Sequence, residues 1–147
     1  MNYGWGILYY FDIETGWVEY HWKNWTDLVW IIADAEDKCV GHCGLYKIDF
    51  RNGTAEIAMR IAPEGLRSKV LGAGLSWEML NYAFQRMNLR RISAVFLETN
   101  VRTAQIAKKI GFIHEGTDRE AEYRYGVYVN VIRMALLKSE WKPELLK

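Results

Sequence analysis

The sequence predicts an α/β domain built on a mixed, largely antiparallel sheet flanked by helices. Three observations carry this. Apolar, alternating segments separated by turn residues fill the first sixty positions. Asn52-Gly53 is the strongest short hairpin signal a chain can offer. Two strand–helix units then follow one another, at 54–87 and 90–111. Both units put a helix N-terminus near the carboxyl end of a strand, the place where open sheets bind ligands.

The elements follow in order. Residues 4–11 (GWGILYYF) suit a strand and 17–22 suit a second strand or an irregular segment. Residues 27–34 read as a buried strand, 35–38 as a turn, and 39–49 as the strand that pairs back. Residues 54–62 alternate and end at Pro63. A helix of about 14 residues follows, with Leu75, Met79, Leu80, Ala83, Phe84 and Met87 on its apolar face. Residues 90–98 form a strand. Residues 99–111 form a helix capped by Asn100 or Thr99, striped by Ile106 and Ile110 and ended by Gly111. Residues 112–123 and 127–137 close the sheet as an antiparallel pair, and the tail from Lys138 reads as polar.

Composition narrows the function. A chain of 147 residues, half of them hydrophobic and 14% aromatic, fills one packed domain. The net charge of +1 argues against a nucleic-acid coat, as does the lack of interleaved basic and aromatic residues. The charge is uneven, with −6 over residues 1–37 and +7 over the remaining 110. No apolar run reaches the ~18 residues of a membrane span and no signal peptide is readable, so a cytoplasmic protein is expected. Cys39, His42 and Cys43 lack a second ligand pair, and strand alternation separates His42 from the cysteines, so no metal site is expected.

The stretch "EGLRSKVLGAGLSWEML" (64–80) raises the sharpest question. It holds Gly65, Gly72 and Gly74, with Arg67 and Lys69 between them, and opens a helix. Four unpaired N–H groups and a partial positive charge at a helix N-terminus suit a phosphate. Neither a P-loop nor Gly-x-Gly-x-x-Gly is present, and by itself the stretch fits a helix start with packing glycines equally well.

Its neighbours add a resemblance. From residue 29 to 141 the chain resembles the GNAT superfamily of acyl-CoA-dependent N-acetyltransferases, in the branch that acetylates ribosomal-protein N-termini. That branch carries an Arg/Gln-x-x-Gly-x-Gly/Ala loop, here Arg67-Ser68-Lys69-Val70-Leu71-Gly72. At the expected distances follow Tyr82-Ala83-Phe84, Asn100, Lys109-Ile110-Gly111-Phe112, Glu115-Gly116, Gly126-Val127-Tyr128 and Glu140-Trp141.

The resemblance implies a single GNAT domain over 1–147. N-terminal strands (1–53) would lie on the acceptor side, 54–112 would form the acyl-CoA-binding core, and 113–147 a closing strand pair and tail. It implies acetyl-CoA as cosubstrate. The loop through Gly72 and Gly74 would hold the pyrophosphate, and backbone groups of Met59, Arg60 and Ile61 the pantetheine arm. Asn100 would bond the pantetheine or thioester region, with Thr103 and Ala104 lining the same slot. Arg102 is the foremost of a basic set (Arg86, Arg90, Arg91, Lys108, Lys109) facing the nucleotide end. Two departures stand out. Val70 replaces the loop's first glycine, crowding it while keeping its N–H. Ala107 stands where many members carry a tyrosine acid, and Thr103, four positions earlier, offers a weak hydroxyl donor in its place.

Direct acyl transfer to a primary amine needs a proton acceptor and an oxyanion site. Glu56 is the first candidate base and Glu98 the second, with backbone N–H groups near Arg60 and Ile61 for the oxyanion. The acidic, aromatic N-terminal part (Trp5, Tyr9, Tyr10, Trp17, Tyr20, Trp22, Trp25, Trp30) is expected to receive a cationic amine. A monomer or homodimer is expected, with no nucleic acid and no membrane. The alternative reading is a catalytically idle GNAT-fold module that binds CoA weakly or a protein partner; Val70 and Ala107 keep it open.

Overall fold

The computed structural model describes residues 25–62 and 71–146. Among these residues six strands form one sheet: β1 (Leu28–Ala33), β2 (Cys39–Asp49), β3 (Thr54–Ile61), β4 (Arg91–Leu97), β5 (Ile113–Arg124) and β6 (Val127–Leu137). Helix α1 (Leu71–Asn81) runs on through a π-helical turn (Tyr82–Arg86), and α2 is Val101–Ile110. The spatial order is β1-β2-β3-β4-β6-β5, and every neighbouring pair is antiparallel except β3 and β4. The expected mixed, mostly antiparallel sheet with flanking helices is therefore present. The strands anticipated at 4–11 and 17–22 lie outside the described residues.

The turns follow local chemistry. Asp34 Oδ1 accepts the N–H groups of Glu36 and Lys38, closing β1 onto β2. Asp49 accepts from Asn52 N–H at 2.9 Å, and Gly53 takes φ 66°, so the Asn-Gly turn forms as its sequence demands. The Asn52 amide groups also hold the Asp49 carboxyl below the usual carboxylate range. Asn100 caps α2 by accepting the Thr103 N–H, and Gly111 ends it in the left-handed conformation at φ 111°.

Both helices pack on one face of the sheet. Leu80, Ala83 and Phe84 of α1 and its π turn, and Ala107 and Ile110 of α2, meet Leu45, Ala55, Ile92, Ala94, Met134 and Leu136. The π turn swings Ala83 and Phe84 fully inward and leaves Tyr82 edge-on to Trp30, ring centroids 5.5 Å apart. Side chains alternate along each strand, so Glu56, Ser93 and their row neighbours occupy the opposite face.

One expectation about the tail needs correction. Its composition is polar, yet Trp141 is only 8% exposed and joins the core beside Trp77 and Phe84, centroids 6.1 and 5.8 Å away. A 3-10 turn (Lys138–Glu140) swings it there, with the Glu140 carboxylate accepting the Leu137 N–H at 3.0 Å. Trp77 Nε1 in turn donates to the Pro143 carbonyl.

Candidate active site

The parallel seam between β3 and β4 is short. Its rungs are Thr54 with Arg91, Ala55 with Ile92, and Glu56 with Ser93. Beyond Ser93, whose hydroxyl donates to the Ala55 carbonyl at 3.4 Å, the strands part. Residues 57–61 stay paired with β2, and residues 94–97 stay paired with β6. Each strand edge therefore turns alternate N–H and C=O groups into a slot that no strand among the described residues fills. A slot edged with backbone groups suits a ligand that carries amides along an extended arm.

A helix comes next in the chain after each of the two parting strands. α1 follows β3, α2 follows β4, and neither has an acidic residue in its first turn. The start of α1 lies against α2 through Gly72 and Ile106, and no carboxylate of either first turn opposes the partial positive charge of the helix ends, which suits an anionic ligand head. Of the loop residues singled out from the sequence, Arg67, Ser68, Lys69 and Val70 lie outside the described residues. Leu71 opens α1.

Gly72 and Gly74 differ. Gly72 is buried, and a Cβ there would come within 3.1 Å of Ile106 Cδ1 of α2, so its smallness lets the two helices meet. Gly74 is exposed with open space around it. Met59 and Ile61 are half-buried and Arg60 is exposed, on the free stretch of β3. Asn100 and Arg102 are exposed, while Thr103 and Ala104 are half-buried in the first turn of α2. Asn100 spends its side-chain oxygen on the cap, which leaves its amide N–H groups for a ligand. Ala107 is buried in the core one turn below Thr103.

The two candidate bases stand at opposite ends of the slot. Glu56 forms its vertex, opposite Tyr46 on one side and Ser93 on the other, with its Oε2 3.1 Å from Lys47 Nζ. Burial, and then the charges of Cys43 and Asp27, push the Tyr46 phenol up to about 12, so it keeps its proton at neutral pH. Glu98 sits past the end of β4 and accepts from Asn130 Nδ2 at 3.0 Å.

Two features escaped the sequence reading. Gly41, on β2, faces Ile61, and a Cβ there would overlap the Arg60 carbonyl oxygen and approach Ile61 Cα to 2.9 Å. The glycine is what allows β2 to press the slot-lining part of β3 into place; its only sequence signal was a lone Gly inside a strand. Gly41→Ala is expected to destabilise the fold by about 2–3 kcal/mol in urea unfolding, because backbone must move; a loss below about 0.5 kcal/mol would refute that packing. Lys47 is the second: it takes a positive φ of 51° within β2.

Cys43 packs in the core, and the half-buried Cys39 donates its thiol to the Gly41 carbonyl. Burial pushes the Cys43 thiol up to about 12, and among the described residues no three His, Cys, Asp or Glu side chains converge as metal ligands. Among the aromatic residues of the expected acceptor region, Trp30 packs into the core, Trp25 is exposed, and the others lie outside the described residues.

A family profile described as an acetyltransferase (GNAT) domain matches residues 5–113, most of the chain. The chain belongs to the GNAT acetyltransferase family. Among GNAT relatives, the "Putative ribosomal N-acetyltransferase YdaF" of Bacillus subtilis is 30% identical over 71% of this chain and 56% of its own length. Spermidine N(1)-acetyltransferase of Vibrio cholerae is 29% identical over 76% of this chain and 64% of its own. The chain thus spans a little over half to about two thirds of these curated relatives. The solved structure of the Vibrio cholerae spermidine N-acetyltransferase with CoA and spermine superimposes with a TM-score of 0.77, at 26% identity, over 85% of this chain and 73% of that one. Another structure of that enzyme is dodecameric. The GNAT fold expected from the motifs is therefore confirmed. Among the described residues no helix is long and apolar enough to cross a membrane.

Proposed function

We propose that this chain is an acetyl-CoA-dependent N-acetyltransferase that moves an acetyl group to a primary amine by direct transfer. The observation that carries the reading is the parting of β3 and β4 beyond Glu56 and Ser93, with a helix next in the chain after each of the two strands. CoA supplies an acyl thioester, whose thiolate is a fair leaving group near neutral pH. Gly72 and Gly74 at the start of α1 would lie against its pyrophosphate, with Arg67, Ser68, Lys69 and Val70 of the preceding loop. The free edge at Met59, Arg60 and Ile61 would pair with the amide-bearing arm. Asn100, Arg102, Thr103 and Ala104 would line the other wall.

In the reaction the amine nitrogen forms a bond to the thioester carbonyl carbon and the C–S bond breaks. Glu56, directly or through water, takes the proton the amine loses. N–H groups of the parted β3 hold the oxyanion, and the Thr103 hydroxyl hydrogen-bonds the leaving sulfur, which departs as the thiolate and takes its proton from solvent, while Glu56 returns the amine's proton to solvent. The acceptor class that fits best is a cationic amine, a polyamine or a protein N-terminus. The acidic N-terminal part supports this, and so does the occurrence of spermidine and ribosomal acetyltransferase names among the relatives. The buried Ala107 favours a second reading, an idle CoA- or protein-binding module, since no acid can act from that position.

Calorimetry with acetyl-CoA separates these readings. The variant to use is Gly74→Glu, since any side chain at Gly72 would strike Ile106. The new carboxylate meets open space and suits a helix start, but repels a pyrophosphate. Binding to the wild type, weakened about tenfold or more in Gly74→Glu, is expected. Equal affinity in both would remove the loop from the cofactor site, and binding without turnover on any amine would favour the idle module.

A further inference from the structure

β2 contains an irregularity that regular pairing with β3 would not produce. Tyr46 faces Glu56 and Asp49 faces Thr54, so two β2 residues stand against Ala55 alone. The extra residue is Lys47, which adopts φ 51°. Regular alternation would send residue 47 to the helix face after Leu45. With the bulge, Ile48 enters the core instead, and Lys47 emerges on the face of Glu56.

The bulge is held from outside the hairpin. Asp27 Oδ1 accepts the Lys47 N–H at 3.0 Å, and the Thr26 carbonyl accepts the Ile48 N–H at 2.7 Å. A left-handed conformation is unfavourable for any residue with a Cβ and persists only where the surroundings impose it. Glycine would satisfy this backbone better; lysine adds a cation. The cation meets the slot, with Nζ 3.1 Å from Glu56 Oε2. Tyr46 and Ser93 face Glu56 from the neighbouring strands, and Arg133 feels its charge while bonding to Asp118.

We propose that Lys47 is a positioning residue, aimed by the left-handed bulge of β2 to hold the Glu56 carboxylate at the vertex of the slot. This rests on the reading of Glu56 as proton acceptor. With Oε2 tied to Lys47, the second carboxylate oxygen is the one presented to the amine or its relay water. An untethered glutamate would spread over several rotamers and spend less time in reach.

Lys47→Gly separates the tether from the bulge, because it relaxes the backbone and deletes only the cation. Transfer is followed as thiol release from acetyl-CoA, with spermidine and a short peptide amine as acceptors. Lys47→Gly is expected to lower kcat about tenfold, leave KM for acetyl-CoA within about twofold and keep or raise the melting temperature. Lys47→Arg, which still reaches the carboxylate, is expected to restore kcat to within about threefold. In a Glu56→Gln background the same glycine substitution should change kcat less than about twofold. Wild-type kcat in Lys47→Gly overturns the proposal, and so does an undiminished loss in the Glu56→Gln background. If Glu56→Gln alone keeps the wild-type rate, the reading of Glu56 fails first and takes the tether with it.

Discussion

Replacing Trp141 by alanine is expected to destabilise the protein by about 3–5 kcal/mol, the range for deleting a buried indole. The ring lies under α1 against Trp77 and Phe84, in the same cluster as Leu80 and Leu136, and it closes the core at the end of β6. A chain of this size should then melt on the order of 10 °C lower. The indole N–H is buried and has no partner among the described residues, so no hydrogen bond is lost with it. Trp141→Phe should therefore recover more than half of the stability. Thermal unfolding of the two variants checks this, and a loss under about 1 kcal/mol for alanine would mean the tail is not part of the core.

Glu56→Gln carries the largest expected effect on activity. Glutamine keeps the shape and the rung opposite Ser93 but is no base, so kcat should fall by about 10²-fold or more. Stability should change by less than about 1 kcal/mol, since the pair with Lys47 has one partner 79% exposed and such pairs contribute little. Acetyl-CoA affinity should not move, because the carboxylate faces the acceptor side of the reaction. Steady-state kinetics beside calorimetry separates the two quantities. A kcat within about threefold of wild type would pass the role to another group, with Glu98 next in line.

Much of the architecture was legible in the residues because its signals are local. Asn52-Gly53 fixes a turn, Asn100 and Gly111 bracket α2, and alternation along β3 and β4 marks the core face. The site was legible as a set of motifs, but the work each residue does was less so. Gly72 looked like a phosphate-loop glycine, and its immediate contact is Ile106, thirty-four positions further along the chain, a contact no sequence pattern displays. The tail displayed Glu140-Trp141 as a motif but not the burial of the ring, since one indole among charges gives no periodicity. The bulge at Lys47 was invisible for the same reason: Asp27 and Thr26, in the turn that leads into β1, bond a backbone that carries no turn residue.

The short seam has a mechanical consequence. Among the described residues the sheet is two three-stranded antiparallel ribbons, β1-β2-β3 and β4-β6-β5, each assembled largely from neighbours in sequence, and three rungs stitch one to the other. Whatever lies in the slot supplies the stitches that the strands omit. Its binding energy then adds to the cohesion of the halves by mass action, so a filled slot makes the fold more cooperative and an empty one leaves a line along which the molecule can breathe.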